Sequence, residues 1–214
     1  MWDREKEAAM MAEKRRTFLE TGYSLFSSKG IESVTLQEIA TASKLGIATL
    51  YRYFVNKQGL VVAIGTWKWE EYLKENAERR PNADFSGMNA AEIFEFYLDS
   101  FLELYRNHKD MLRFNQFFNV YVETEQIDPE VLKPYLEIIR GLGEHIHEIY
   151  VLAEKDHTVR IDEPEEEMFS KTLHLMLAAA TRYAVGLVYI PEGGFDAEKE
   201  LLFLKNLILR EYCS

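Results

Sequence analysis

The sequence predicts an all-α fold of about nine helices: a short N-terminal unit of three, then a larger C-terminal helical body. Three observations carry this. Apolar residues recur at helical spacing in almost every segment, and strand-like alternation persists nowhere. Helix-start signatures repeat along the chain, at Thr35 with Glu38, Asn89 with Glu92, and Asp128 with Pro129. Loop-forming runs at 81–87 and 191–194 separate the periodic stretches.

Helix one carries Phe18, Leu19, Tyr23, Leu25 and Phe26 on one stripe and is expected to stop at a left-handed Gly30. Thr35-Leu36-Gln37-Glu38 has the form of a capping box and opens helix two, to about Ser43. Helix three follows at about 47–54. Asn56 is the N-cap of helix four, about 57–80, with Trp67 and Trp69 in its middle. After the loop at 81–87, Asn89 caps helix five, striped by Ile93, Phe94, Tyr97, Leu98 and Phe101, and Asn107-His108 marks a bend. Helix six bears Phe114, Phe117, Phe118 and Tyr121. Asp128-Pro129 opens helix seven, where Pro134, one turn in, is placed to perturb the start. Residues 156–164 are polar and loop-like. Pro164 starts helix eight, and Glu165, Glu166 and Glu167 read as first-turn charges favoured by the helix dipole, not as a metal site. Helix eight is apolar nearly all round from 173 to 190, which predicts burial on more than one face. Asp196 starts the last helix, to about Tyr212.

The 214 residues are 47% hydrophobic and 29% charged, enough apolar content for a real core and too much for a disordered chain. The single cysteine, Cys213, cannot form an internal disulfide, and no Cys cluster offers a zinc site. The start, MWDREKEAAMMAEKRR, is charged and lacks the apolar stretch of a signal peptide, and no run approaches a membrane span. A cytoplasmic location away from the membrane is therefore expected, with no cofactor and no metal. The net charge of −11 is unevenly spread: residues 1–65 hold 9 Lys and Arg against 7 Asp and Glu, residues 66–214 hold 16 against 29. A mildly basic module on an acidic body suits a nucleic-acid partner, although ordinary scatter produces such asymmetry too.

The stretch 35–57, TLQEIATASKLGIATLYRYFVNK, reads as helix, tight turn and second helix. Ala40 is small enough for a close crossing, and Ile39, Leu45, Leu50 and Phe54 are placed to pin both helices to a third. Ile47, Ala48, Thr49, Arg52 and Tyr53 remain for base and phosphate contacts in a major groove. Together with the preceding LFSSKG, these residues resemble the tetracycline-repressor (TetR) family of bacterial transcription regulators, over about residues 14–62. The resemblance rests on a threonine opening helix two, an Ile-Ala pair, Thr-Leu-Tyr-x-Tyr-Phe, and Asn-Lys, in order.

That resemblance implies a helix-turn-helix DNA-binding domain at 1–56 and an effector-binding and dimerisation domain at 57–214. It implies phosphate contacts from Thr35, Tyr51 and Lys57, and places Gln37, Ile47, Ala48, Arg52 and Tyr53 at bases or the groove edge. For Tyr53, core packing is an equal alternative. An Arg52–guanine pair is worth about 1–3 kcal/mol of discrimination. The turn departs from the family's usual Gly-Val-Ser: Lys44 stands at the left-handed position, at a cost of about 1–2 kcal/mol. Gly46 replaces the serine N-cap, and Lys44 offers its charge in place of the lost hydroxyl.

The implied function is a ligand-responsive dimeric regulator, a repressor released by a small apolar or aromatic effector, bound to a double-stranded operator. Homodimerisation through the last two helices follows from the resemblance. Ala178, Ala179, Ala180, Ala184 and Gly186, with Leu201, Leu202, Phe203, Leu204, Leu207 and Ile208, agree with it independently. The alternative is that helix eight is the central core helix of a monomer. Candidate pocket liners are Trp67, Tyr97, Phe101, Phe114, Phe117, Phe118, Tyr121, His145 and Tyr183. Each taken singly reads as core; as a set they suggest an aromatic-rich cavity. Competing functions are a DNA-binding regulator with a filled core and no effector, and a helical-bundle enzyme. Against the enzyme, the chain has no nucleophile elbow, phosphate loop, Glu-x-x-His pair or Cys-His site.

Overall fold

The computed structural model describes residues 2–79, 85, 87–186 and 194–213. Among them are nine helices: α1 (Trp2–Lys29), α2 (Leu36–Ala42), α3 (Ile47–Phe54), α4 (Lys57–Arg79), α5 (Ala90–Asn107), α6 (Lys109–Glu125), α7 (Pro129–Asp156), α8 (Glu165–Val185) and α9 (Ala197–Tyr212). The described residues hold no strand, only an isolated bridge of Val159 with Cys213.

The expected caps form. Thr35 and Asn89 each close a capping box with the glutamate three residues on. Asp196 accepts from the amides of Glu198 and Lys199. Gly30 is left-handed, at φ +85°, where α1 ends. Pro134 lies inside α7, which continues through it; the missing N–H leaves the Glu130 carbonyl without its helical donor.

α1 begins at Trp2, well before its apolar stripe, and residues 4–16 are exposed. Two expectations need correction. α8 ends at Val185, not 190, because Gly186 turns left-handed at φ +83°. Nor is α8 buried all round: Leu175 is 51% exposed in the single chain, and Ala178 and Arg182 share its outward side. Most of the expected loop at 81–87 and the turn at 191–194 lies outside the described residues.

The chain forms two compact units. The first combines Met1–Glu78 with Phe114–Ile138, the second Arg79–Arg113 with Ile139–Ser214. In the first, α1, α2 and α3 pack on one another around fully buried Phe18, Phe26, Ile39 and Leu50. A ladder of rings runs on from Tyr23 to Phe114 (5.5 Å), Phe114 to Phe118 (5.9 Å) and Phe118 to Tyr135 (4.4 Å). In the second, α5, α8 and α9 pack together over Phe94, Leu98, Met176 and Leu201. There the buried Lys205 ammonium lies 2.8 Å from Glu95 and 2.6 Å from Asp99, so two carboxylates compensate the desolvated charge.

Candidate nucleic-acid interface

The site is α2, the turn at 43–46, and α3. α2 is short and leans on its cap. Thr35 Oγ1 accepts from the Glu38 amide at 3.1 Å; the Glu38 carboxylate takes the Thr35 amide proton at 2.7 Å and the hydroxyl proton at 3.0 Å. These bonds hold the Glu38 carboxyl below its ordinary value, the amide of Thr35 chiefly and its hydroxyl next. Ile39 and Ala40 form the buried face, with Ala40 at the crossing as its size suggests.

The turn keeps the left-handed residue. Lys44 sits at φ +57°, and the Leu45 amide donates to the Ala40 carbonyl at 3.1 Å. Gly46 is the N-cap of α3 and supplies no side-chain bond; its carbonyl accepts from the amides of Thr49 and Leu50. Leu50 and Phe54 anchor α3 inward. With those two fixed, the helical period turns Ala48, Tyr51 and Arg52 outward on one face, and all three are exposed. Thr35, Gln37 and Lys44 are exposed beside it, and Ile47 and Thr49 are half-buried at its edge.

Tyr53 departs from this face. Its ring lies 6.3 Å from Phe18 and 6.1 Å from Phe54, and its hydroxyl is buried with no hydrogen-bond partner. Of its two sequence readings, this geometry is the packing one. Arg52 lies over the same ring, 5.6 Å from the centroid.

The junction to α4 is tight, and sequence reasoning missed two of its residues. Val55 has φ +61° and ψ −52°, and the Asn56 amide bonds the Phe54 carbonyl at 2.5 Å, a γ-turn of the rare positive-φ kind. Asn56 Oδ1 caps the amide of Gly59 at 2.8 Å. Gly59 is glycine for a steric reason: an added Cβ would stand 2.4 Å from the Phe54 carbonyl oxygen. A glycine in the first turn of a capped helix was the available signal. Lys57 is half-buried, and its ammonium donates to the Glu32 carbonyl at 3.3 Å.

The candidate pocket residues divide between the units. Trp67, Phe114, Phe117, Phe118 and Tyr121 belong to the first. Phe114, Phe118 and Tyr121 are buried, Phe117 lies against Gly30, and Trp67 lines a cleft with Arg15, Val62, Thr66, Val131 and Pro134. Tyr97, Phe101, His145 and Tyr183 belong to the second. Tyr97 and Phe101 are half-buried, and Tyr183 donates to Glu200 at 2.6 Å. The His145 side chain lies outside the described residues. Among the described residues, no group of three or more His, Cys, Asp or Glu is placed to hold a metal, and no helix is long and apolar enough to cross a membrane.

Residues 18–64, which span this whole arrangement, match the family profile described as bacterial regulatory proteins, tetR family. The helix-turn-helix segment is therefore similar to the DNA-binding part of TetR-family regulators. Curated relatives agree: the chain is 29% identical over 122 residues to the uncharacterized HTH-type transcriptional regulator YerO of Bacillus subtilis, and 28% over 102 residues to YuxN of the same organism. Those matches cover 56% and 48% of this chain but only 38% and 34% of the relatives, so the chain matches little more than a third of their length. Among solved structures, a putative transcriptional regulator from Saccharomonospora viridis in complex with choline superposes with TM-score 0.71 at 18% identity, over 95% of this chain and 99% of that one. FadR from Bacillus subtilis in complex with stearoyl-CoA gives 0.67 at 14%, over 91% and 97%. The fatty acid degradation regulator FadR from Bacillus halodurans gives 0.68 at 13%, over 92% and 94%. At such identities the likeness is one of fold. The described residues thus have the helical architecture the sequence predicts.

Proposed function

We propose that the chain is a dimeric, ligand-responsive DNA-binding regulator, a cytoplasmic repressor that leaves its operator when a small apolar or aromatic effector binds. The observation that carries this is the outward face of Ala48, Tyr51 and Arg52, held by buried Leu50 and Phe54 above a capped α2. That face offers a guanidinium for guanine and a methyl for thymine, and Thr35, Tyr51, Lys44 and Lys57 would take phosphates. By function, residues 1–56 read DNA and 57–214 bind effector and partner, a division distinct from the packing units. A second copy would cover the exposed Leu175 on α8 and Leu202, Phe203 and Leu207 on α9, which gives two readers for a two-fold operator. The choline and stearoyl-CoA complexes of similar folds support an effector.

The buried ring ladder from Phe114 to Tyr135 favours a second reading, a regulator whose first unit is simply filled. Selection of duplexes from a randomised DNA pool, followed by titration across a salt series, tests the proposal. An enriched inverted repeat bound with a steep salt slope, weakened by Arg52→Ala, supports it. No enrichment and a flat slope reject it.

A further inference from the structure

Lys57 stands at the start of α4, beside the reader, and its ammonium is engaged within the protein. It donates to the Glu32 carbonyl at 3.3 Å and sits 5.7 Å from the ring centroid of Tyr121 on α6. Tyr121 is only 4% exposed, so its ring is a fixed surface and not a passing contact. Glu32, Asn56, Lys57, Gln58, Tyr121 and Glu125 line one cleft in the first unit. Of the carboxylates acting on the ammonium, Glu125 at the end of α6 is the strongest, followed by Glu32 and Glu38. Burial pushes the Lys57 ammonium's pKa down, so its charge is partly desolvated here and depends on those partners.

We propose that Tyr121 and Glu125 of α6 form a latch that draws the Lys57 ammonium off the DNA phosphate it would otherwise contact. This rests on the reading of 35–57 as a DNA reader. The chemistry is a competition for one cation. The Glu32 carbonyl and the Tyr121 face hold it in a cleft that the Glu125 carboxylate also lines; a phosphate outside offers a stronger negative charge. The last turn of α6 therefore sets how much of the reader's positive charge faces the operator. A shift of that turn toward Lys57 weakens DNA binding, and a shift away strengthens it. The DNA-contact lysine is thereby a control point that no motion of α3 is needed to operate.

Two measurements test the latch. The first is titration of the DNA duplex selected from a randomised pool, with wild type, Glu125→Gln, Lys57→Ala and the double variant. The latch predicts roughly three- to tenfold tighter binding for Glu125→Gln, and no gain from the same change in the Lys57→Ala background. Glu123→Gln removes an equal, exposed charge two residues away and controls for general electrostatics. An equal gain from Glu123→Gln, or a gain that survives Lys57→Ala, overturns the latch while leaving the DNA reading standing. Failure of the wild type to select any duplex overturns both. The second measurement needs no DNA: acetylation of lysines by acetic anhydride, followed by mass spectrometry. Shielding in the cleft opposes, and is expected to outweigh, the larger free-amine fraction of a lowered pKa, so Lys57 should label several-fold more slowly than Lys44, and faster in Tyr121→Leu, with Tyr121→Phe unchanged. Equal labelling of Lys57 and Lys44 overturns the latch. Because Tyr121 is buried, the Glu125→Gln arm keeps the proposal falsifiable if Tyr121→Leu fails to fold.

Discussion

The carbonyl oxygen of Phe54 lies where a Cβ on Gly59 would approach to 2.4 Å, so the first turn of α4 rests on the last carbonyl of α3. Gly59→Ala should improve intrinsic helix propensity by about 1 kcal/mol and still destabilise the protein by about 1–3 kcal/mol, because backbone must move. Urea unfolding checks this. A midpoint at or above that of the wild type would show that the junction opens freely.

Lys44 is the second backbone test. At φ +57° its side chain is strained in a way glycine is not. Lys44→Gly should raise stability by about 0.5–1 kcal/mol in thermal melts. The same change removes an exposed charge beside the proposed interface, so the salt slope of DNA binding should fall by about one. Stability and affinity are expected to move in opposite directions.

Glu38 gives a pH dependence. Its carboxyl is depressed below the ordinary 4.5 chiefly by the Thr35 amide. A depressed carboxyl adds stability that is fully present above its unfolded value and is lost as pH falls through the folded one. The stability gap between wild type and Glu38→Gln should therefore be constant near neutrality and close progressively below about pH 4.5. Denaturant midpoints at stepped pH values measure it; a gap that widens on acidification refutes the assignment.

The buried, unpartnered hydroxyl of Tyr53 makes Tyr53→Phe a gain or a neutral change, up to about 1 kcal/mol of stabilisation. DNA affinity should be unchanged within about twofold, whereas a groove-contacting hydroxyl would lose roughly 1 kcal/mol of binding or more. Titration of the selected duplex separates the two.

Phe203, 67% exposed, and Leu207, 51% exposed in the single chain, lie one turn apart on α9, on the surface proposed to meet a second copy. Phe203→Glu should shift sedimentation from dimer to monomer and weaken operator binding at least tenfold, with the helical content retained. A wild-type monomer would place the partner surface elsewhere.

How far the sequence foretold these features depends on how local their causes are. The caps at Thr35, Asn89 and Asp196, the left-handed Gly30 and the bounds of α3 all follow from neighbours within a few residues, and each was readable. The first half of α1 was not, since 4–16 carry no apolar stripe and are exposed, and good helix formers extend the helix there instead. The end of α8 was hidden by an apolar run through Gly186, a residue read as a small contact and found to be a stop. Gly59 and Tyr53 needed partners distant along the chain or across a turn: a carbonyl of the preceding helix in one case, Phe18 of α1 in the other.

A hydroxyl has one proton to give, and that of Thr35 is already given to Glu38, as is the Thr35 amide's. A phosphate arriving at Thr35 must evict a carboxylate of the same sign before it is bonded. The exchange trades one anionic acceptor for another and returns little free energy, so a phosphate contact from Thr35 would add less to DNA binding than those proposed for Tyr51, Lys44 and Lys57. An acid that protonates Glu38 frees the place it held.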